Sequence, residues 1–123
     1  MSEQAIQTIS VAIGAQAGTV SRPMFRVPKS DSAFGGITIT GAYIQSAAAA
    51  TTIFQLTNLG TALGTAITSV VGTLNGTLVA NVQKALSVTT AYQASGTWIG
   101  LNTGAGDTLN AASNLLIEYK WGK

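Results

Sequence analysis

Residues 51–82 (TTIFQLTNLGTALGTAITSVVGTLNGTLVANV) constrain this chain more than any other stretch. Short apolar runs alternate with turn signals at Asn58-Leu59-Gly60, Gly64, Gly72 and Asn75-Gly76, and none of these residues is charged. Runs of that length, punctuated that way, predict consecutive β-strands joined by tight turns. Asn75-Gly76, between Leu74 and Thr77, is the strongest short-range hairpin signal in the chain, because a type I′ turn needs positive φ at both central residues. Such a stretch reads as scaffold rather than catalyst.

At 123 residues the chain is expected to form one domain with one modest core. Charged residues make up 8% of it, against about 25% in ordinary soluble domains. No Asp, Glu, Lys or Arg falls between Asp31 and Lys84. Solubility must then rest on Thr, Ser, Asn and Gln, or part of the surface is covered by a partner. A Thr-rich exterior suits β proteins in general; an oligomer whose buried faces need no charges is the preferred reading.

Totals also exclude function classes. Six basic residues, a net charge of +2 and no basic cluster leave nothing to neutralise a run of phosphates, so no nucleic-acid partner is expected. With no Cys, neither a disulfide framework nor a thiolate metal site can form. No basic segment followed by a long apolar core opens the chain, so no signal peptide is expected. Gly60 and Gly64 have the small-xxx-small spacing of membrane helices. Thr, Asn and Gly nevertheless interrupt every apolar run well short of the roughly 20 residues a spanning helix needs, and a soluble protein without a membrane partner is expected.

Ile9, Val11 and Ile13 alternate with Ser10 and Ala12, which predicts a strand with one inward face. GAQAG at 14–18 then breaks the pattern. Residues 1–20 are thus expected to form an N-terminal arm and first strand, pairing within the subunit or reaching a neighbour, ahead of a single β-sandwich domain over 21–123. Pro23 and Pro28 bracket Met24, Phe25, Arg26 and Val27, so this segment is an edge strand or an extended crossing, since proline cannot donate to a central ladder. Arg22, Arg26 and Lys29 gather here as either a solvated edge that discourages aggregation or a contact to an acidic partner surface.

Farther along, Ile37, Ile39, Gly41 and Tyr43 are expected on one face of a strand and Thr38, Thr40, Ala42 and Ile44 on the other. Residues 46–50 are read as a loop, since four alanines are too few to nucleate a helix. Phe54 and Leu56 share a face. Strands are predicted over 67–71, 78–82, 84–92 and 97–101, with a glycine loop at 102–107 (NTGAGD). The clearest alternation closes the chain, with Leu115, Ile117, Tyr119 and Trp121 inward and Glu118 and Lys120 outward. About eight to nine such strands without a helical segment predict an all-β fold: an antiparallel β-sandwich, jelly-roll-like in topology.

Catalytic constellations are not found. There is no His to activate a nucleophile, and no spacing supports a Ser–Lys dyad. Glu3, Asp31, Asp107 and Glu118 are the only carboxylates, and Glu3 sits on a terminus, which leaves little for a glycosidase pair. No enzyme is expected. Asp107 with Asn102 and Asn110 offers hard oxygen ligands for calcium. The same residues make turns through side-chain to backbone hydrogen bonds, and one carboxylate is too little charge for a tight site. No P-loop pattern exists, and no cofactor is expected. Trp98, between Gly96 and Gly100 and opposite in phase to Ile99 and Leu101, either packs over backbone or anchors an interface. The second is preferred.

Two segments carry a resemblance. TTIFQLTNLGTALGTAITSVVGTLNGTLV (51–79) resembles the strand, Asn-x-Gly-Thr turn, strand pattern of small virion proteins of tailed bacteriophages. AYQASGTWIGLNTGAGDTLNAASNLLIEYKW (91–121) is similar to the closing strands of the same proteins, with their small-residue turn, Gly-Asp loop and aromatic-rich final strand. The resemblance covers residues 25–121 in pattern and implies a capsid decoration (cement) or head-fibre protein. It implies a jelly-roll subunit, usually trimeric, bound to the capsid exterior beside the major capsid protein. It also implies that an N-terminal segment contacts the capsid or a neighbouring copy. Candidate contact residues are then Ile9, Val11, Ile13, Arg22, Arg26, Lys29 and Trp98. The alternatives are a carbohydrate-binding or host-attachment module, with an aromatic platform near Trp98 or Tyr92, and a tail or baseplate component.

Overall fold

A computed structural model describes residues 6–13, 16–17, 22–27, 35–47, 50–62, 67, 69–103, 108–109 and 113–122. Twelve β-strands and no helix are found among them. They are β1 (Gln7–Ile13), β2 (Gln16–Ala17), β3 (Arg22–Arg26), β4 (Gly36–Ser46), β5 (Ala50–Asn58) and β6 (Ser69–Leu78). Then come β7 (Lys84–Ala85), β8 (Ser87–Val88), β9 (Tyr92–Ala94), β10 (Trp98–Thr103), β11 (Thr108–Leu109) and β12 (Ser113–Trp121).

Two antiparallel sheets enclose one core. The first has the order β1-β12-β4-β7, with β9 also on β4, and the second the order β3-β10-β5-β6-β8. The pairings are nested along the chain. β1 pairs with β12, β3 with β10, β4 with β9 and β5 with β6, and successive pairs fall in alternate sheets. An antiparallel ribbon rolled up in this way is the double-sheet jelly roll that the strand pattern predicted. β12·β4 and β10·β5 then join the pairs within each sheet. β2 and β11 form a separate two-stranded ribbon.

The core follows from the alternation. Leu115 and Ile117 of β12 are fully buried and Tyr119 nearly so, with Trp121 packed against the same cluster, as expected. Phe54 and Leu56 of β5 and Ile99 and Leu101 of β10 are all fully buried, with Leu56 directly opposite Leu101. Each such side chain contributes about 1.5–3 kcal/mol on burial.

Several expectations are corrected. Asn75-Gly76 is not a hairpin turn: it lies inside β6, paired with Ile53 and Thr52, and β6 replaces the strands expected over 67–71 and 78–82. The reversal comes earlier, between Asn58 and Ser69. There Asn58 Oδ1 accepts from the Gly60 amide at 2.8 Å and Gly60 takes φ +81°, an Asx turn that starts the loop. A ten-residue partner satisfies the backbone of β5 along its whole length, which outweighs the local turn preference of two residues. Gly72, also read as a turn signal, lies mid-strand, where a Cβ would stand 2.9 Å from Ser87 O; its missing side chain admits β8.

β4 keeps the expected alternation only as far as Ile39. Glu118 pairs with Gly41 and Tyr119 with Ile39, so Thr40 is an extra residue and the strand changes phase. Ile37, Ile39, Ala42 and Ile44 all point inward as a result, while Tyr43 is outward. A bulge shifts a period-2 pattern by one. The single strand expected over 84–92 is three short strands, on β4, β6 and β4 again, and Leu86 is buried as the chain crosses between sheets.

Candidate functional site

Trp98 opens β10 and its neighbours decide its direction. Ile99 and Leu101 are fully buried, so the alternate positions Trp98, Gly100 and Asn102 face out from the second sheet. Opposite Trp98 is Arg26 of β3, the terminal strand of that sheet. Edge position suits Pro23, whose lack of an amide proton coincides with a register shift opposite Ile99 and Gly100.

The Arg26 side chain is held twice. Its Nε donates to Gly96 O at 3.1 Å, and its guanidinium carbon lies 5.9 Å from the centroid of the Trp98 ring. A cation so placed on an indole gains about 0.5–1 kcal/mol at an exposed site. Gly96 presents its carbonyl from a turn in which it adopts φ +82°, and its amide donates to Val27 O at 3.0 Å. Gly100 lets the edge close: a Cβ there would be 2.9 Å from both Arg22 O and Leu59 Cδ1.

Beneath this edge lies a buried polar network. The Asn58 amide donates to Gln93 Oε1 (2.6 Å) and Thr97 Oγ1 (3.1 Å), Gln93 Nε2 donates to Thr90 O (2.7 Å), and Thr97 Oγ1 donates to Ala94 O (2.7 Å). Asn58 belongs to the second sheet and Gln93 to the first, so the network ties the two together. Its groups satisfy one another, and its role is structural. The sequence carried no signal for it, because nothing local marks a polar side chain as buried.

The contact candidates divide. Arg22 and Arg26 are exposed on β3, and Trp98 is half-buried beside Arg26. Lys29 lies outside the described residues, as do Asp107 and Asn110 of the weighed calcium set; Asn102 lies in β10. Ile9, Val11 and Ile13 are on β1 of the other sheet, where Ile13 is buried and Ile9 and Val11 pack against the core. β1 pairs with β12 of its own chain, so the arm's strand is used internally.

On the outer face of the first sheet, Tyr43 and Glu118 meet over Gly41. The Glu118 carboxylate accepts from the Tyr43 hydroxyl and its charge raises the phenol's pKa above the usual 10.0. Among the described residues no three of His, Cys, Asp and Glu gather to hold a metal ion. Exposed large apolar side chains are found away from the sheet faces, at Ile6, Ile67, Val79 and Val82. Comparison of the chain with protein-family models, curated proteins and solved structures finds no match.

Proposed function

We propose that this protein is a structural component of a virion: a jelly-roll subunit that forms a trimer, binds the outside of a bacteriophage capsid beside the major capsid protein, and stabilises the shell. One observation supports the oligomeric part above all. Asn102, Gln55, Thr73 and Ser87 stand in one cross-strand row over β10, β5, β6 and β8, alternating with the buried Leu56 and Leu101. That outward row is polar and carries no charge. A sister subunit can cover it without desolvating an ion, whose burial would cost far more than that of a paired amide or hydroxyl. Closed threefold symmetry would limit growth.

The capsid part rests on the resemblance of residues 51–79 and 91–121 to the strand and turn pattern of small phage virion proteins. A protein that binds only the assembled shell stabilises it by mass action. The attachment-module alternative calls for an open aromatic platform. Here the Trp98 ring carries the Arg26 guanidinium, and the Tyr92 hydroxyl donates to Gly35 O at 3.0 Å. The test is co-sedimentation with shells stripped of decoration, together with analytical ultracentrifugation of the free protein. Saturable association, shells that open at higher temperature and a trimer at micromolar concentration are expected. A monomer ends the trimer reading. Glycan binding that disappears in Trp98→Ala, with no association with shells, would replace it with the attachment module.

A further inference from the structure

We infer that Arg26, seated on Trp98, is a preformed receptor for a carboxylate, and that the partner presenting it is an acidic protein segment docking along the β3 edge. Three observations carry this. First, the guanidinium is fixed before any partner arrives. Its Nε is engaged by Gly96 O and its Cζ lies 5.9 Å from the centroid of the Trp98 ring, while the residue as a whole is exposed. The tether consumes Nε and leaves the two terminal nitrogens, the pair that grips a carboxylate in bidentate fashion. An arginine already confined to one geometry loses less conformational entropy on binding than a free one.

Second, among the described residues no carboxylate lies beside this charge. The only acidic residue among those described, Glu118, is on β12 of the first sheet beside Tyr43. An acidic partner complements the exposed Arg26 guanidinium at this edge. Third, the surroundings fit a recognition contact. Arg and Trp dominate interface hot spots, especially where neutral groups around them exclude water. Here those neighbours are Pro23 and Gly100, paired beside them, and Leu59, which is buried over Gly100. The inference goes beyond the virion reading, because it concerns the partner's chemistry and holds for any acidic protein surface.

Isothermal titration calorimetry of the whole protein at low salt tests it, with a short glutamate-rich peptide as probe and its glutamine counterpart as control. Expected are saturable binding of the glutamate peptide alone, weakening as salt screens the pair, and a loss of about tenfold in Arg26→Gln. Arg26→Lys keeps the charge without the fork and should recover only part of that loss. Thermal melts of each variant confirm that it is folded. Equal affinity in Arg26→Gln, full recovery in Arg26→Lys, no binding at low salt, or preference for a sialylated oligosaccharide over the peptide would each overturn the proposal.

Discussion

The two sheets of this molecule are built on the same alternation yet differ in how they use it. In the first, β12 runs between β1 and β4 with one register shift, and its outward side carries charge, Glu118 and Lys120, as ordinary solvated faces do. The second has register shifts on both flanks of its centre, at Ile99/Gly100 and at Leu56/Thr57. Its described outward positions are neutral except at the β3 edge, where Arg26 rests on Trp98. The difference teaches that the charge deficit is not spread evenly over the surface. Among the described strands it covers β1 and β4 of the first sheet as well as β5, β6 and β10 of the second, and in the second sheet the charges sit on the boundary strand β3 alone. A face without ions beside an edge with two is the arrangement expected of a surface that is partly covered and partly steered.

Breaking the link between the sheets should have the largest effect. Asn58→Ala strips Gln93 and Thr97 of a buried partner and should lower unfolding free energy by about 1–3 kcal/mol, read from urea denaturation. Because Asn58 and Gln93 bond directly, the double variant Asn58→Ala/Gln93→Ala should cost less than the sum of the singles. Additive losses would show that the sheets are not coupled there. A smaller effect sharpens the account of the second sheet. Asn75→Thr, in a strand paired with Ile53, should be neutral or stabilising by a few tenths of a kcal/mol, about what β propensity allows. Were Asn75-Gly76 a type I′ turn, the same β-branched residue would be forced to positive φ and would destabilise.

The smallest effect belongs to the first sheet. Bonding to Glu118 raises the Tyr43 pKa, so the folded protein holds that proton more tightly than the unfolded chain does. The contribution is complete below the unfolded value, near pH 10, and is lost as pH rises through the folded one. Ultraviolet titration of phenolate should therefore show a step displaced above 10, and Tyr43→Phe should remove it. A difference between the two titrations centred at 10 rather than above it would show that the pair does not form.

Legibility in the sequence tracked regularity of pairing. The closing strand was readable because Leu115, Ile117, Tyr119 and Trp121 keep one period along a nine-residue ladder. β3 was readable as an edge because Pro23 lacks a donor. β4 was readable for half its length, until the bulge at Thr40 moved Ala42 and Ile44 into the core. Of the contact candidates, Arg26 and Trp98 were each visible as residues, but their pairing depends on register between strands more than seventy positions apart.

By itself, then, the sequence determined the class: short apolar runs of strand period, no helical stretch and too few ions for a fully charged exterior leave an antiparallel sandwich. Tertiary structure alone decided which turn signals become turns. Asn58 and Gly60 make the turn that ends β5, while Asn75 and Gly76 run on inside β6. A hairpin preference is worth a fraction of what a full ladder of backbone hydrogen bonds and a buried face contribute. Tertiary structure also decided that Arg26 should meet Trp98, because strand register is a property of the whole sheet and is written in no single segment.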